Sequence, residues 1–335
     1  MQDPTLSLKS ADAHEPPGEV VTRSVQVRGL DLAYETFGRP DDPAMILVMG
    51  LGTQMIAWPD ELCRALAATG RYVVRYDNRD IGLSTHLSSL PVPNPAAVML
   101  RRAPAPYAIA DMADDLIGLM DELGIPEADI VGASMGGFIT QSAAIRAPHR
   151  VRSMTLIMTS TGSARVGRPK ARAFGPALFR KRPTNRQEAI EATLATFERI
   201  GSPGYPVDIE QLRSLAARSL DRAFDPDGVV RQLAACLRQP DRTPDLHRLR
   251  TPTVVLHGLS DPLVAPSGGL ALAKAISGSK FVGYPGMGHD LPRQLWGSFA
   301  EEIITLSDRT LAARAQAGNS EANNSVNVGG SAPAR

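Results

Sequence analysis

Asp129-Ile130-Val131-Gly132-Ala133-Ser134-Met135-Gly136-Gly137-Phe138-Ile139 passes from a continuous apolar run into a helical one through Gly-x-Ser-x-Gly. An apolar run without alternation suits a strand buried on both faces. A serine on a tight strand-to-helix turn holds its hydroxyl clear of the backbone. The following helix then aims its N-terminal amides at whatever that hydroxyl meets. Glycines on either side leave room where a side chain would strike strand or helix. A serine hydroxyl alone is a weak nucleophile. It needs a base, an acid to orient the base, and donors for the charge that develops.

Upstream of Ser134, Ser24–Arg28 and Leu32–Thr36 alternate around a Gly29-Leu30-Asp31 turn and read as a hairpin. Met45–Met49 is a second continuous apolar run, ended by Gly50-Leu51-Gly52. A helix is expected near Trp58–Ala68, with Pro59 at a tolerated early position. Tyr72–Tyr76 is the next strand and runs into the polar loop Asp77–Ser84. Pro91–Pro106 is proline-rich and irregular. Ile109, Met112, Leu116, Met120 and Leu123 have helical spacing, stopped by Gly124 and Pro126.

Downstream, Met154–Met158 reads as a strand, after which strand and helix no longer alternate. Helical patterns fill the segment from about Thr161 to Leu249, which reads as an insertion forming a cap. Strands resume at Thr253–His257 and Phe281–Tyr284, separated by a helix over Ser267–Ile276. An amphipathic helix over about Leu295–Leu311 closes the fold. The expected organisation is a core of residues 19–160 and 250–313 and a helical cap of 161–249. Residues 1–18 and 314–335, polar and aperiodic, read as a disordered lead-in and tail. The fold class is α/β, a mostly parallel sheet flanked by helices. In such sheets ligands bind beyond the carboxyl ends of the strands. Gly50-Leu51-Gly52, Asp77, Ser134, Asp261 and His289 each follow a strand.

Six histidines compete for the base. His14 lies in the lead-in, and His86, His149 and His247 lie in polar loop or helix-end contexts, where surface placement is the default. His257 ends an apolar strand and reads as packed and hydrogen-bonded. His289 sits in a glycine-flanked loop after the last strand and is the candidate base. Asp261 follows the strand ending at His257. Its plain reading is an Asx-turn residue before Pro262, yet its place at a strand end ahead of His289 makes it the candidate acid. Asp290, next to the base, is expected to point away. The amide of Met135 is the first candidate oxyanion donor. Leu51, in a loop freed to turn by two glycines, supplies the second. Asp77 and Arg79 are expected to tie loops together by charged hydrogen bonds. Trp58 is a candidate wall of the substrate pocket, with a core position as the alternative.

The chain has 335 residues, 43% hydrophobic and 21% charged, as in ordinary globular enzymes. A net charge of +1 supplies no field suited to nucleic acid. Cys63 and Cys236 lie far apart and read as free thiols. No Cys/His spacing suggests a metal, and no cofactor is expected. No apolar run spans a bilayer. Met1-Gln2-Asp3-Pro4 lacks the features of a secretory leader, so the cytoplasm is the expected location. Ala164–Arg186 is rich in Arg and Lys without an acid. It reads as a solvated basic face, or as a surface meeting anionic lipid or an acidic substrate.

Taken together, Met49-Gly50-Leu51-Gly52, Asp77-x-Arg79-x-x-Gly82-x-Ser84, Gly132-x-Ser134-x-Gly136-Gly137, His257-Gly258-x-x-Asp261 and Gly288-His289 resemble the α/β-hydrolase superfamily. Met49 stands where many members carry His. Val48-Met49-Gly50, Trp58-Pro59 and Arg75-Tyr76-Asp77-x-Arg79-Asp80 are similar to its branch containing aclacinomycin methylesterase and lipase- and esterase-like proteins. The resemblance implies a Ser134–His289–Asp261 triad acting on a small-molecule ester through an acyl-enzyme. C–C bond or thioester hydrolysis or perhydrolysis on the same fold, and a non-catalytic ligand receptor, are the alternatives.

Overall fold

The computed structural model describes residues 20–174, 183 and 185–328. The first two strands, β1 (Arg23–Val27) and β2 (Leu30–Phe37), form the expected hairpin. Its two-residue turn has positive φ at both Arg28 (52°) and Gly29 (81°). That backbone matches the twist of the flanking strands.

The order then alternates as the sequence suggests. β3 (Ala44–Val48), α1 (Asp60–Ala67) and β4 (Tyr72–Tyr76) come first. α2 (Pro95–Met99), α3 (Ile109–Glu122), β5 (Ala128–Ala133), α4 (Met135–Arg146) and β6 (Val151–Ile157) follow. The short α2 falls where an irregular stretch is expected. Its signal is local: the Asn94 side chain accepts from the amides of Ala96 and Ala97, and Pro95 takes the first helical position.

Between β6 and β7 (Thr253–Gly258) the described chain holds only helices: α5 (Ala171–Phe174), α6 (Arg186–Ile200), α7 (Ile209–Arg222), α8 (Pro226–Arg238) and α9 (Thr243–Leu246). α10 (Ser267–Ala275), β8 (Lys280–Tyr284) and α11 (Trp296–Val328) complete the order.

The eight strands lie in the order β1-β2-β4-β3-β5-β6-β7-β8. β2 pairs antiparallel with both β1 and β4, and the other pairs are parallel. The central strands β3, β5 and β6 are buried at every position. Alternation reappears once both faces are considered. Ile46, Val48, Ile130 and Leu156 pack into one cluster with Leu116 and Leu119 of α3, Ile139 of α4 and Leu272 of α10. Met45, Leu47, Val131 and Ile157 pack into the other with Leu62 and Leu66 of α1 and Phe299 and Ile303 of α11. Each such side chain removed from water contributes about 1.5–3 kcal/mol.

Two expectations need correction. α11 continues to Val328, so residues 314–328 are helical rather than a disordered tail. Arg314-Ala315-Gln316-Ala317 favour a helix, and no proline interrupts before Pro333. Trp58 is 1% exposed and belongs to the core cluster of β3, α1 and α11, not to an open pocket wall. Its carbonyl accepts from Arg75, whose guanidinium also pairs with Glu35 and Asp60. The lead-in, residues 1–18, lies outside the described residues, as does much of the basic stretch, including Arg180, Lys181 and Arg182. Arg186 from that stretch pairs with Asp221 at 2.8 Å on an exposed surface. Both thiols are free; Cys63 is buried, which pushes its pKa up to about 12. No described helix is long and apolar enough to cross a membrane.

Candidate active site

Ser134 stands between β5 and α4 with φ 54° and ψ −114°. A non-glycine residue in such backbone costs about 1–3 kcal/mol and persists only where its surroundings enforce it. Here the Ser134 amide donates to the Ile157 carbonyl at 2.9 Å, and its carbonyl accepts from Thr159 Oγ1 at 2.8 Å. Gly136 lets the helix start sit directly on the end of β3. A Cβ there would collide with the carbonyl of Val48.

The structure brings the three expected side chains together. His289 Nε2 is 3.0 Å from Ser134 Oγ, and His289 Nδ1 is 2.7 Å from Asp261 Oδ2. Asp261 is fully buried and His289 is 8% exposed. The Asx-turn reading of Asp261 holds as well: its Oδ1 accepts from the amides of Leu263 (2.8 Å) and Val264 (2.9 Å). One oxygen makes the turn and the other meets the imidazole.

The neighbouring groups divide as their surroundings dictate. His257 is buried, donates from Nε2 to the Val264 carbonyl at 2.9 Å, and lies 3.8 Å from Asp261 Oδ2. Burial holds its pKa below the ordinary imidazole value. Asp290 does point away, toward the Ser202 hydroxyl, and burial raises its carboxyl. His86 is half-buried and has two partners. Its ring bridges Asp225 Oδ2 (2.8 Å) and the Gly82 carbonyl (2.9 Å).

Asp77 and Arg79 tie loops together, as their sequence context suggests. Asp77 accepts from the amides of Met55 (2.7 Å) and Leu83 (3.0 Å) and from Arg222 of α7. Arg79 makes a two-pronged bond of 2.6 Å each to Asp115 of α3. The loop after β3 carries the Leu51 amide. Met135 is the first residue of α4, so its amide has no helical acceptor one turn back. Neither amide donates to another described residue outside helix or strand ladders.

Several residues at the site carry no mark in the local sequence. Ile200 accepts from the His289 amide at 2.7 Å, and Ser202 Oγ accepts from the Gly288 amide at 2.8 Å. Arg231 of α8 grips Asp80 by two bonds of 2.8 and 2.9 Å. Gln232 of α8 reaches the Gly52 amide. All come from the inserted helices, and only their ends, Asn185, Asp208 and Asp225 as helix caps, are visible in sequence.

A family model described as alpha/beta hydrolase fold matches residues 43–292. The chain belongs to the α/β-hydrolase family. Among its relatives, rhodomycin D methylesterase DauP of Streptomyces sp. is 27% identical over 293 residues, covering 81% of this chain and 93% of that protein. The 3-oxoadipate enol-lactonase 2 of Acinetobacter baylyi is 30% identical over 248 residues, covering 73% and 81%. Among solved structures, the enol-lactonase of Burkholderia xenovorans superposes with a TM-score of 0.65 at 25% identity. That match covers 85% of this α/β hydrolase and all of the other chain.

Proposed function

We propose that this α/β hydrolase cleaves carboxylic esters through an acyl-enzyme on Ser134. The observation that carries the reading is the unbroken line Asp261–His289–Ser134, at 2.7 and 3.0 Å. The names of the relatives, a methylesterase and an enol-lactonase, support ester and lactone carbonyls as the substrate class.

Ser134 Oγ bonds to the ester carbonyl carbon as His289 Nε2 takes its proton. The carbonyl π pair moves to oxygen, where the Leu51 and Met135 amides donate to it. The tetrahedral species collapses, the C–O bond to the alcohol breaks, and His289 returns the proton to the departing oxygen. Water repeats the sequence and frees the acid. Asp261 holds the Nδ1–H tautomer and stabilises the imidazolium. Each oxyanion donor contributes about 3–4 kcal/mol to the transition state. The inserted helices serve as the cap that shapes an apolar acyl or alcohol pocket.

The test is labelling with a fluorophosphonate probe, mapped by peptide mass, together with hydrolysis of short-chain nitrophenyl esters. Labelling is expected at Ser134. Ser134→Ala is expected to lose about 10⁶-fold in kcat while keeping the wild-type melting temperature. Wild-type turnover by Ser134→Ala would overturn the reading.

A further inference from the structure

The loop that presents Leu51 is pinned by side chains at three points. Asn78 Nδ2 donates to the Met49 carbonyl at 3.1 Å. Thr53 Oγ1 donates to the Leu51 carbonyl at 3.1 Å. Gln232 Oε1 accepts from the Gly52 amide at 2.9 Å. The first two anchors belong to the sheet domain. Gln232 belongs to α8, inside the inserted helices and 180 positions away.

Peptide units are rigid planes, so fixing the planes on either side of a residue fixes where its own N–H points. The Leu51–Gly52 plane is held at both ends, by Thr53 on its carbonyl and Gln232 on its amide. The Met49–Gly50 plane is held by Asn78. Between them the Gly50–Leu51 plane, which carries the Leu51 N–H, is itself held, among the described residues, only by a long bond of 3.4 Å from the Thr53 amide to the Gly50 carbonyl, so its direction depends on the planes that flank it. Without Gln232 the glycine-flanked loop could rotate, because Gly52 already sits at φ +64°.

Gln232 is built for this task. It is fully buried, and its Nε2 donates to the Arg79 carbonyl at 2.7 Å. Both ends of the amide are therefore engaged, which fixes its flip. Its helix is seated by Arg231 on Asp80 and by Val229, whose Cγ1 would lie 3.0 Å from a Cβ on Gly52.

We infer that Gln232 is a positioning residue for the oxyanion site, so that the seating of α8 sets the direction of the Leu51 amide. This rests on the serine-hydrolase reading above. α8 then has a part in rate as well as in covering the site.

The test compares Gln232→Met, which keeps length but cannot accept from Gly52, with Gln232→Glu, which keeps the acceptor and, when protonated on its other oxygen, the donor to the Arg79 carbonyl. Three quantities are read: nitrophenyl ester kinetics, inhibition by a trifluoromethyl ketone, and exchange of the Gly52 amide. Gln232→Met is expected to lower kcat about 10–100-fold, a part of the 10²–10³ that a lost oxyanion donor costs, with KM within about twofold. Ketone affinity should fall by a similar factor, and the Gly52 amide should exchange faster. Gln232→Glu should restore most of the kcat and ketone affinity. If Gln232→Met fails to fold, Gln232→Asn, which draws the acceptor back by one methylene, takes its place with the same expectation. Unchanged kcat and ketone affinity in a variant whose Gly52 amide is deprotected would overturn the role of Gln232. A wild-type chain that leaves Ser134 unlabelled by fluorophosphonate overturns the serine reading, and the Gln232 role falls with it.

Discussion

Asp261 uses its two carboxylate oxygens for different tasks, and that division predicts what Asp261→Asn does. Oδ1 accepts from two amides, Leu263 and Val264. An asparagine must turn its carbonyl toward them, which leaves its NH₂ facing His289 Nδ1. Nδ1 then becomes an acceptor, and the ring proton moves to Nε2, where the Ser134 proton must go. The variant is expected to fold normally and to lose about 10⁴-fold in kcat, measured on nitrophenyl esters at neutral pH. A loss below tenfold would show that Asp261 does not set the tautomer. Ser134, His289 and Asp261 were all legible because each follows an apolar strand and two have glycine neighbours. Trp58 was not, since a large aromatic residue beside Pro59 has the same local context in a core or on a pocket wall. What decides is the sheet and α11 closing over it, a contact with residues more than two hundred positions away.

At the scale of elements, the first turn of α8 depends on a histidine. The Asp225 side chain caps α8 by accepting from Asp227 and Gly228, each at 3.0 Å, and meets His86 at 2.8 Å. Burial lowers the His86 pKa, but both ring nitrogens face acceptors, the Gly82 carbonyl and Asp225, and the net effect raises it. Only the imidazolium can donate at both. Asp80 adds to the negative field, while Arg231 pairs with both Asp80 and Asp225. A raised folded-state pKa means the stabilisation is full below the ordinary value of about 6.5 and is lost as pH rises through the folded value. The melting-temperature gap between wild type and His86→Gln should therefore be wider at about pH 6 than at about pH 8. An equal gap at both would remove the charge from the account. This junction could not be read in advance. Asp225 and Pro226 announce a helix start, but a histidine 139 positions earlier carries no sign of its partner. The same holds for Gln232 and Arg231, which look like the polar side of an amphipathic helix until the sheet is in place.

At the scale of the whole molecule, α11 does its packing with its first half. Phe299, Ile303, Leu306, Ser307 and Thr310 are buried, and Thr310 is the last buried side chain described on the helix. Ser307 reaches the buried Asp129 at the start of β5, which also holds Arg152 and Ser153. Leu311 is half-buried and residues 312–317 are exposed, so ending the chain at Ala317 is expected to shift the melting temperature by no more than about 2 °C. Ending the chain at Ile304 instead should prevent folding or lower the melting temperature by more than 10 °C, since a buried Leu is worth about 2–5 kcal/mol and Asp129 loses a donor. Differential scanning calorimetry of both truncations checks this. The helical spacing up to Leu311 is apolar and therefore readable. Beyond it the composition turns to Asn, Ser and Gly, which are poor helix formers, so no helix is readable there from the sequence.

The order of the parts along the chain bears on how the enzyme is made. Ser134 and His289 are 155 positions apart. At roughly 5–20 residues per second of synthesis, the ribosome takes about 8–30 seconds to travel from one to the other. Until Asp261 and then His289 have been made, a nascent chain holds its serine without a base, as an ordinary alcohol. On the proposed mechanism, reactivity arrives only when β7, β8 and the loop after them emerge and dock. The growing polypeptide therefore, on that mechanism, passes most of its assembly unable to attack esters around it.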